Sequence, residues 1–127
     1  MVTLMRIVAA LASALTLLAQ AGNYKGEWQG QAANGDIRIA LESKSGGWAA
    51  RISFSLAGNE VSTRVTTLEV SATTLTAEYE FEFGDNKLQS RIEAKIDGEK
   101  LEGTYRTKAL ANGAAVDQGT FKAAREK

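Results

Sequence analysis

Glu78, Glu80 and Glu82 form the densest group of reactive side chains in this chain of 127 residues. Alternate spacing puts all three on one face of a strand. A stripe of carboxylates could draw a cation, and a carboxylate pair flanking a cleft is the machinery of glycoside hydrolysis. Neither reading goes far. Calcium takes six or more oxygens converging on one point, whereas side chains along one strand face stand side by side. The segment that follows carries Arg91 and Lys95 on its outward parity. The stripe therefore reads as a solvated outer face with cross-strand pairs worth roughly 0.2–1 kcal/mol each. The chain has no His and no Cys. Zinc sites draw mainly on those two residues, and hydrolase triads need an imidazole or an equivalent base. These features predict a non-catalytic protein with no metal and no cofactor.

Aromatic side chains are the other candidates. Trp48, Phe54, Tyr79 and Tyr105 fall on the apolar parity of their segments. They are the expected contacts of an interior pocket for a small apolar or aromatic molecule, with tyrosine hydroxyls at its mouth. Eight strands leave an interior just wide enough to be filled or to hold one small ligand. A dry void of about 300 Å³ would cost roughly 7 kcal/mol at about 24 cal/mol per Å³, comparable to a domain's whole stability. A filled lower half beneath a shallow, wet upper pocket is therefore expected.

The elements that would position those rings follow a leader. Arg6 is the one charge before Lys25, and Ile7 to Ala19 is an unbroken run of apolar or small residues. Ala19-Gln20-Ala21 supplies the A-x-A cleavage pattern. Residues 1–21 are expected to be a signal peptide with a helical apolar run, and residues 22–127 a single domain of a secreted or periplasmic protein. The run is shorter than the about 20 residues of a spanning helix, so no membrane span is expected after cleavage; a retained anchor is the alternative. Basic and acidic residues number 15 each, and loss of Arg6 leaves a net charge of about −1. Nucleic-acid binders carry a basic excess, so no nucleic-acid partner is expected.

From Tyr24 onward the hydrophobic period is two, which marks strands. Eight alternating stretches are separated by turn signals, among them Asn34-Gly35, Asp97-Gly98 and Asn112-Gly113. A two-residue turn at Asn34-Gly35 predicts Trp28 opposite Leu41 and Gly30 opposite Ile39. A three-residue Asn112-Gly113-Ala114 loop with a bulge predicts Tyr105 opposite Phe121. Val61 to Val70 changes parity midway. It needs a bulge near Thr66-Thr67 or else divides into two short strands. Proline is absent, so an open sandwich would leave two long edges unprotected, and closure removes them. The expectation is an all-β, eight-stranded antiparallel up-and-down meander barrel. Its outer face carries Arg38, Arg51, Glu78, Arg91 and Arg106, the reverse of a lipid-facing barrel.

Gly26-Glu27-Trp28, Gly103-Thr104-Tyr105 and Gly119-Thr120-Phe121 repeat a Gly-x-aromatic pattern. Pairing the first strand with the last would make their three strands neighbours, with glycines allowing sharp coiling or a ring packed across them. The alternative is that these rings line a ligand cup. On Gly26-Glu27-Trp28 and Arg125 the chain resembles the calycins, the group of lipocalins, avidins and fatty-acid-binding proteins. The resemblance implies a lipocalin-like barrel whose base is closed by Trp28, with Arg125 packed across it in a cation–π contact. Phe121 is the third residue expected at this closure. The chain is also similar to small bacterial envelope barrels with Trp-x-Gly early (Trp28-Gln29-Gly30) and Leu-x-Gly-Thr late (Leu101-Glu102-Gly103-Thr104). The expected function is binding of a small hydrophobic molecule. The alternative is a solid-packed barrel that acts as an interaction or inhibitor module on another envelope protein.

Overall fold

The computed structural model describes residues 21–44 and 46–126. The leader expected over residues 1–21 lies outside them, apart from Ala21. All regular structure among the described residues is strand: β1 (Gly22–Gly30), β2 (Asn34–Lys44), β3 (Gly47–Leu56), β4 (Asn59–Ser62), β5 (Arg64–Val70), β6 (Thr74–Phe83), β7 (Asn86–Asp97), β8 (Lys100–Ala109) and β9 (Ala115–Arg125). They form one antiparallel sheet in the order β4-β3-β2-β1-β9-β8-β7-β6-β5. The last strand pairs with the first, Trp28 standing opposite Phe121. The sheet thus rolls into a nearly closed barrel.

Among the described residues the strand count is nine, not eight. The stretch from Val61 to Val70 supplies both devices that its change of parity demands. β4 pairs with β3, Phe54 opposite Val61. The chain then crosses at Thr63, and β5 pairs with β6 through a bulge between Val65 and Thr67. One strand is divided between the two ends of the sheet. β5 also lies against β3, yet the two form no ladder. Thr63 Oγ1 donates to the Ile52 carbonyl across this seam at 2.7 Å.

Two expected registers are slipped. Trp28 stands opposite Gly35, not Leu41, and Gly30 lies beyond the paired stretch. The turn sits three residues earlier, at Gln31-Ala32, closed by Gly30 N–H donating to the Ala33 carbonyl at 2.8 Å. Gly35 is needed elsewhere. A Cβ there would lie 2.2 Å from the Ser55 carbonyl oxygen and 2.8 Å from the Trp28 indole nitrogen. At the other hairpin, Tyr105 faces Gly119 and Phe121 faces Gly103, so each ring lies across a glycine and not across the other ring.

The interior is mostly apolar, with Ser90 and Thr107 buried in it. Ile39, Leu41, Leu75, Ile92 and Leu101 are fully buried. Tyr24 closes the lower end, opposite Arg125 in register. The outer face carries the ions. Arg64 pairs with Glu80, and Arg91 lies 3.6 Å from Glu78.

The repeated glycines explain how so small a wall closes. A Cβ at Gly103 would meet the Glu93 carbonyl oxygen at 2.0 Å, and one at Gly119 would meet that of Gln29 at 2.0 Å. Neighbouring backbones approach where only hydrogen can stand between them. Gly103→Ala is expected to cost about 1–3 kcal/mol, the overpacking range. Gly47→Ala, whose added methyl meets nothing within 4 Å, is the control and is expected to be neutral or slightly stabilising. Urea unfolding of the two variants measures the difference.

Candidate functional site

Four turns meet at the upper end of the barrel: β1–β2, β3–β4, β6–β7 and β8–β9. Beneath them lies a cavity of about 200 Å³ whose wall is almost wholly apolar. Strand alternation delivers its rings. Phe54 comes from β3, Tyr79 and Phe81 from β6, Tyr105 from β8, and Trp28 and Phe121 from the paired first and last strands. Trp28 stands at right angles to two neighbours, 86° to Phe54 and 90° to Tyr105, with centroids 6.0 and 5.8 Å away. Phe54 and Phe81 meet at 82° and 4.9 Å. Such edge-to-face pairs contribute about 0.5–1.5 kcal/mol each beyond simple burial. At the rim, Phe83 and Val116 are 40% and 48% exposed.

Each ring of the cavity wall that has a polar tip has a hydrogen-bond partner. The indole N–H of Trp28 donates to the Ser55 carbonyl at 3.1 Å. The Tyr79 hydroxyl bonds with Ser90, and Ser90 is bonded in turn to Thr107. The Tyr105 hydroxyl donates to Asp117 Oδ2 at 2.8 Å. Asp117 Oδ1 accepts the backbone N–H groups of Gln31 and Ala32 at 2.9 and 3.1 Å. One carboxylate therefore holds the β1–β2 turn and fixes a ring in the cavity wall. The hydroxyl of Tyr105 reaches over Gly30, where a Cβ would lie 2.0 Å from it.

Of the four residues expected at a ligand, Phe54, Tyr79 and Tyr105 line this cavity together. Trp48 does not. It stands opposite Ser43 near the β2–β3 turn, at the other end of the barrel. The three residues expected to close the barrel also part company. Trp28 and Phe121 line the cavity. Arg125 lies opposite Tyr24, four residues along β1 from Trp28. Its guanidinium lies 3.4 Å from Glu99 Oε1 and from the Ala21 carbonyl. The expected Trp28–Arg125 stack is replaced by a base built on Tyr24. Asp117 was invisible to motif reasoning. Its signal was parity: it shares the inward face of β9 with Gly119 and Phe121, an unusual place for a charge.

Burial raises all three tyrosine pKa values. Tyr79 is pushed up to about 12, with its Ser90 bond opposing the shift slightly. Tyr105 is raised by burial, then by its bond to Asp117 and that group's charge. Tyr24 is raised by burial, partly offset by Arg125. A raised tyrosine pKa means that the fold favours the neutral phenol. The contribution is complete below the unfolded value of 10.0 and is lost as pH climbs towards the folded value, at about 1.4 kcal/mol per pH unit for one group. The chain has 3 tyrosines, so ultraviolet titration should show all of them lagging. At pH 10 the folded protein is expected to hold far less tyrosinate than the same chain in guanidinium, and its stability should fall from that pH upward.

No family model, curated protein or solved structure matches this chain.

Proposed function

We propose that this protein is a secreted or periplasmic, non-catalytic binding barrel of lipocalin-like build, whose upper cavity takes one small apolar or aromatic molecule. The observation that carries the reading is the void of about 200 Å³ among six rings, open at a rim of exposed apolar side chains. An empty dry void of that size would cost about 5 kcal/mol at about 24 cal/mol per Å³. A guest that fills it recovers much of that cost. An engineered apolar cavity of about 150 Å³ holds benzene, so the size suits a single substituted ring. Filling energy of this order corresponds to dissociation constants between millimolar and micromolar. The exposed rim of Phe83 and Val116 supports a second reading, in which another envelope protein docks on the open end.

The two tryptophans lie at opposite ends of the barrel, which makes the test clean. Toluene and benzyl alcohol are titrated while tryptophan emission is followed. A saturable change is expected in the natural chain and in Trp48→Phe, because Trp28 lines the cavity. The change should vanish in Trp28→Phe. A response that follows Trp48 instead, or no response to either compound, rules out the cavity as the binding site.

A further inference from the structure

The cavity's charge character narrows the guest further, and this step rests on the cavity being the binding site. We infer that the natural guest is a small organic cation, a quaternary ammonium about the size of one substituted ring. Three features of the wall point the same way. The rings come first. An aromatic ring is negative on its face and positive at its edge, and rings set at right angles have faces that point in different directions. Trp28, Phe54, Phe81 and Tyr105 have this mutual arrangement. Stacked rings would shield one another's faces.

The second feature is the sign of the charge. Among the described residues lining the cavity there is no Lys and no Arg, and Asp117 is the one ionised group. A fatty acid or other carboxylate would bring its charge into an apolar wall with no cation to meet it, at a large desolvation cost. A cation meets the reverse situation. The partners of Asp117 are neutral donors, the Tyr105 hydroxyl and two backbone N–H groups. Its negative charge is not cancelled by an ion pair among the described residues. Arg91, Arg106 and Lys108 share a groove with it on the outer wall, together with Glu78, where water screens them.

The third feature selects the kind of cation. Ser90 and Thr107 are bonded to each other, and the tyrosine hydroxyls are engaged. A primary ammonium would give up its strong hydration in a wall that is almost wholly apolar. A quaternary ammonium has no N–H to satisfy, so it loses least on entry and is the cation that aromatic walls hold well.

Trimethylphenylammonium and tert-butylbenzene have the same shape and differ in a single charged atom. Both are titrated into the folded Trp48→Phe chain, with Trp28 emission as the readout. The cation is expected to bind about tenfold more tightly, a difference of about 1.4 kcal/mol within the range of cation–π contacts. In Asp117→Asn, which keeps an oxygen for the Gln31 and Ala32 amides, that ratio should fall. Benzoate should not saturate. Equal affinities, a preference for tert-butylbenzene, or tight benzoate binding overturn the inference while leaving an apolar binding barrel standing. Failure of every probe removes the binding site and this inference together.

Discussion

The structure depends on close contact between strand backbones at Gly26, Gly103 and Gly119. A closed antiparallel wall of short strands must coil tightly, and tight coiling brings one strand's carbonyls to where the next strand's Cβ atoms would stand. At Gly26 the clash would be with the Lys122 carbonyl oxygen, at 1.8 Å. Hydrogen in place of a methyl group is what permits closure. The ring two residues further along each of these strands then turns inward by strand alternation. Closure and the aromatic lining therefore have one cause, and the Gly-x-aromatic repeat serves both.

The interior grades from filled to hollow along the barrel axis for a related reason. At the lower end Ile39, Leu41, Leu75 and Leu101 interdigitate as flexible aliphatics. Tyr24 and Arg125 finish the base. At the upper end rings dominate the wall, and Trp28, Tyr79 and Tyr105 are held by hydrogen bonds at their polar tips. A ring fixed at its tip by Ser55, Ser90 or Asp117 cannot swing in to fill a void. These three rings are tied in place, and a cavity that resists collapse costs the most stability when empty.

The seam between β3 and the β4–β5 crossing is the weakest part of the wall. Elsewhere each strand is laddered on both sides, whereas β5 meets β3 without a ladder. Thr63 supplies a side-chain bond there in place of backbone bonds. Local opening follows the regions with fewest buried contacts and backbone bonds. Amides along β5 on this side should be the first to exchange with solvent among the strands, well before those shared by β1 and β9.

Alternation along the chain sets the class of element and, outside Val61 to Val70, the facing of the side chains. Alternation over Leu75 to Phe83 and Leu88 to Ile96, the change of parity near Thr66-Thr67, and the absence of His and Cys were all legible. Who stands opposite whom was settled by contacts between distant strands. β2 is slipped six residues along β1, from Leu41 to Gly35 opposite Trp28, and β9 is slipped two along β8, from Phe121 to Gly119 opposite Tyr105. Both slips are even, so every side chain keeps its face while its neighbours change. Phe54, Tyr79 and Tyr105 meet as the alternation implies, whereas Trp48 lies six residues down β3 from Phe54, beside the β2–β3 turn, and Arg125 pairs with Tyr24, four residues from Trp28. Side-chain facing repeats every two residues and survives any even slip. Register depends on which glycine a ring can cross and which turn Asp117 can hold, and those contacts exist only once distant strands have come together.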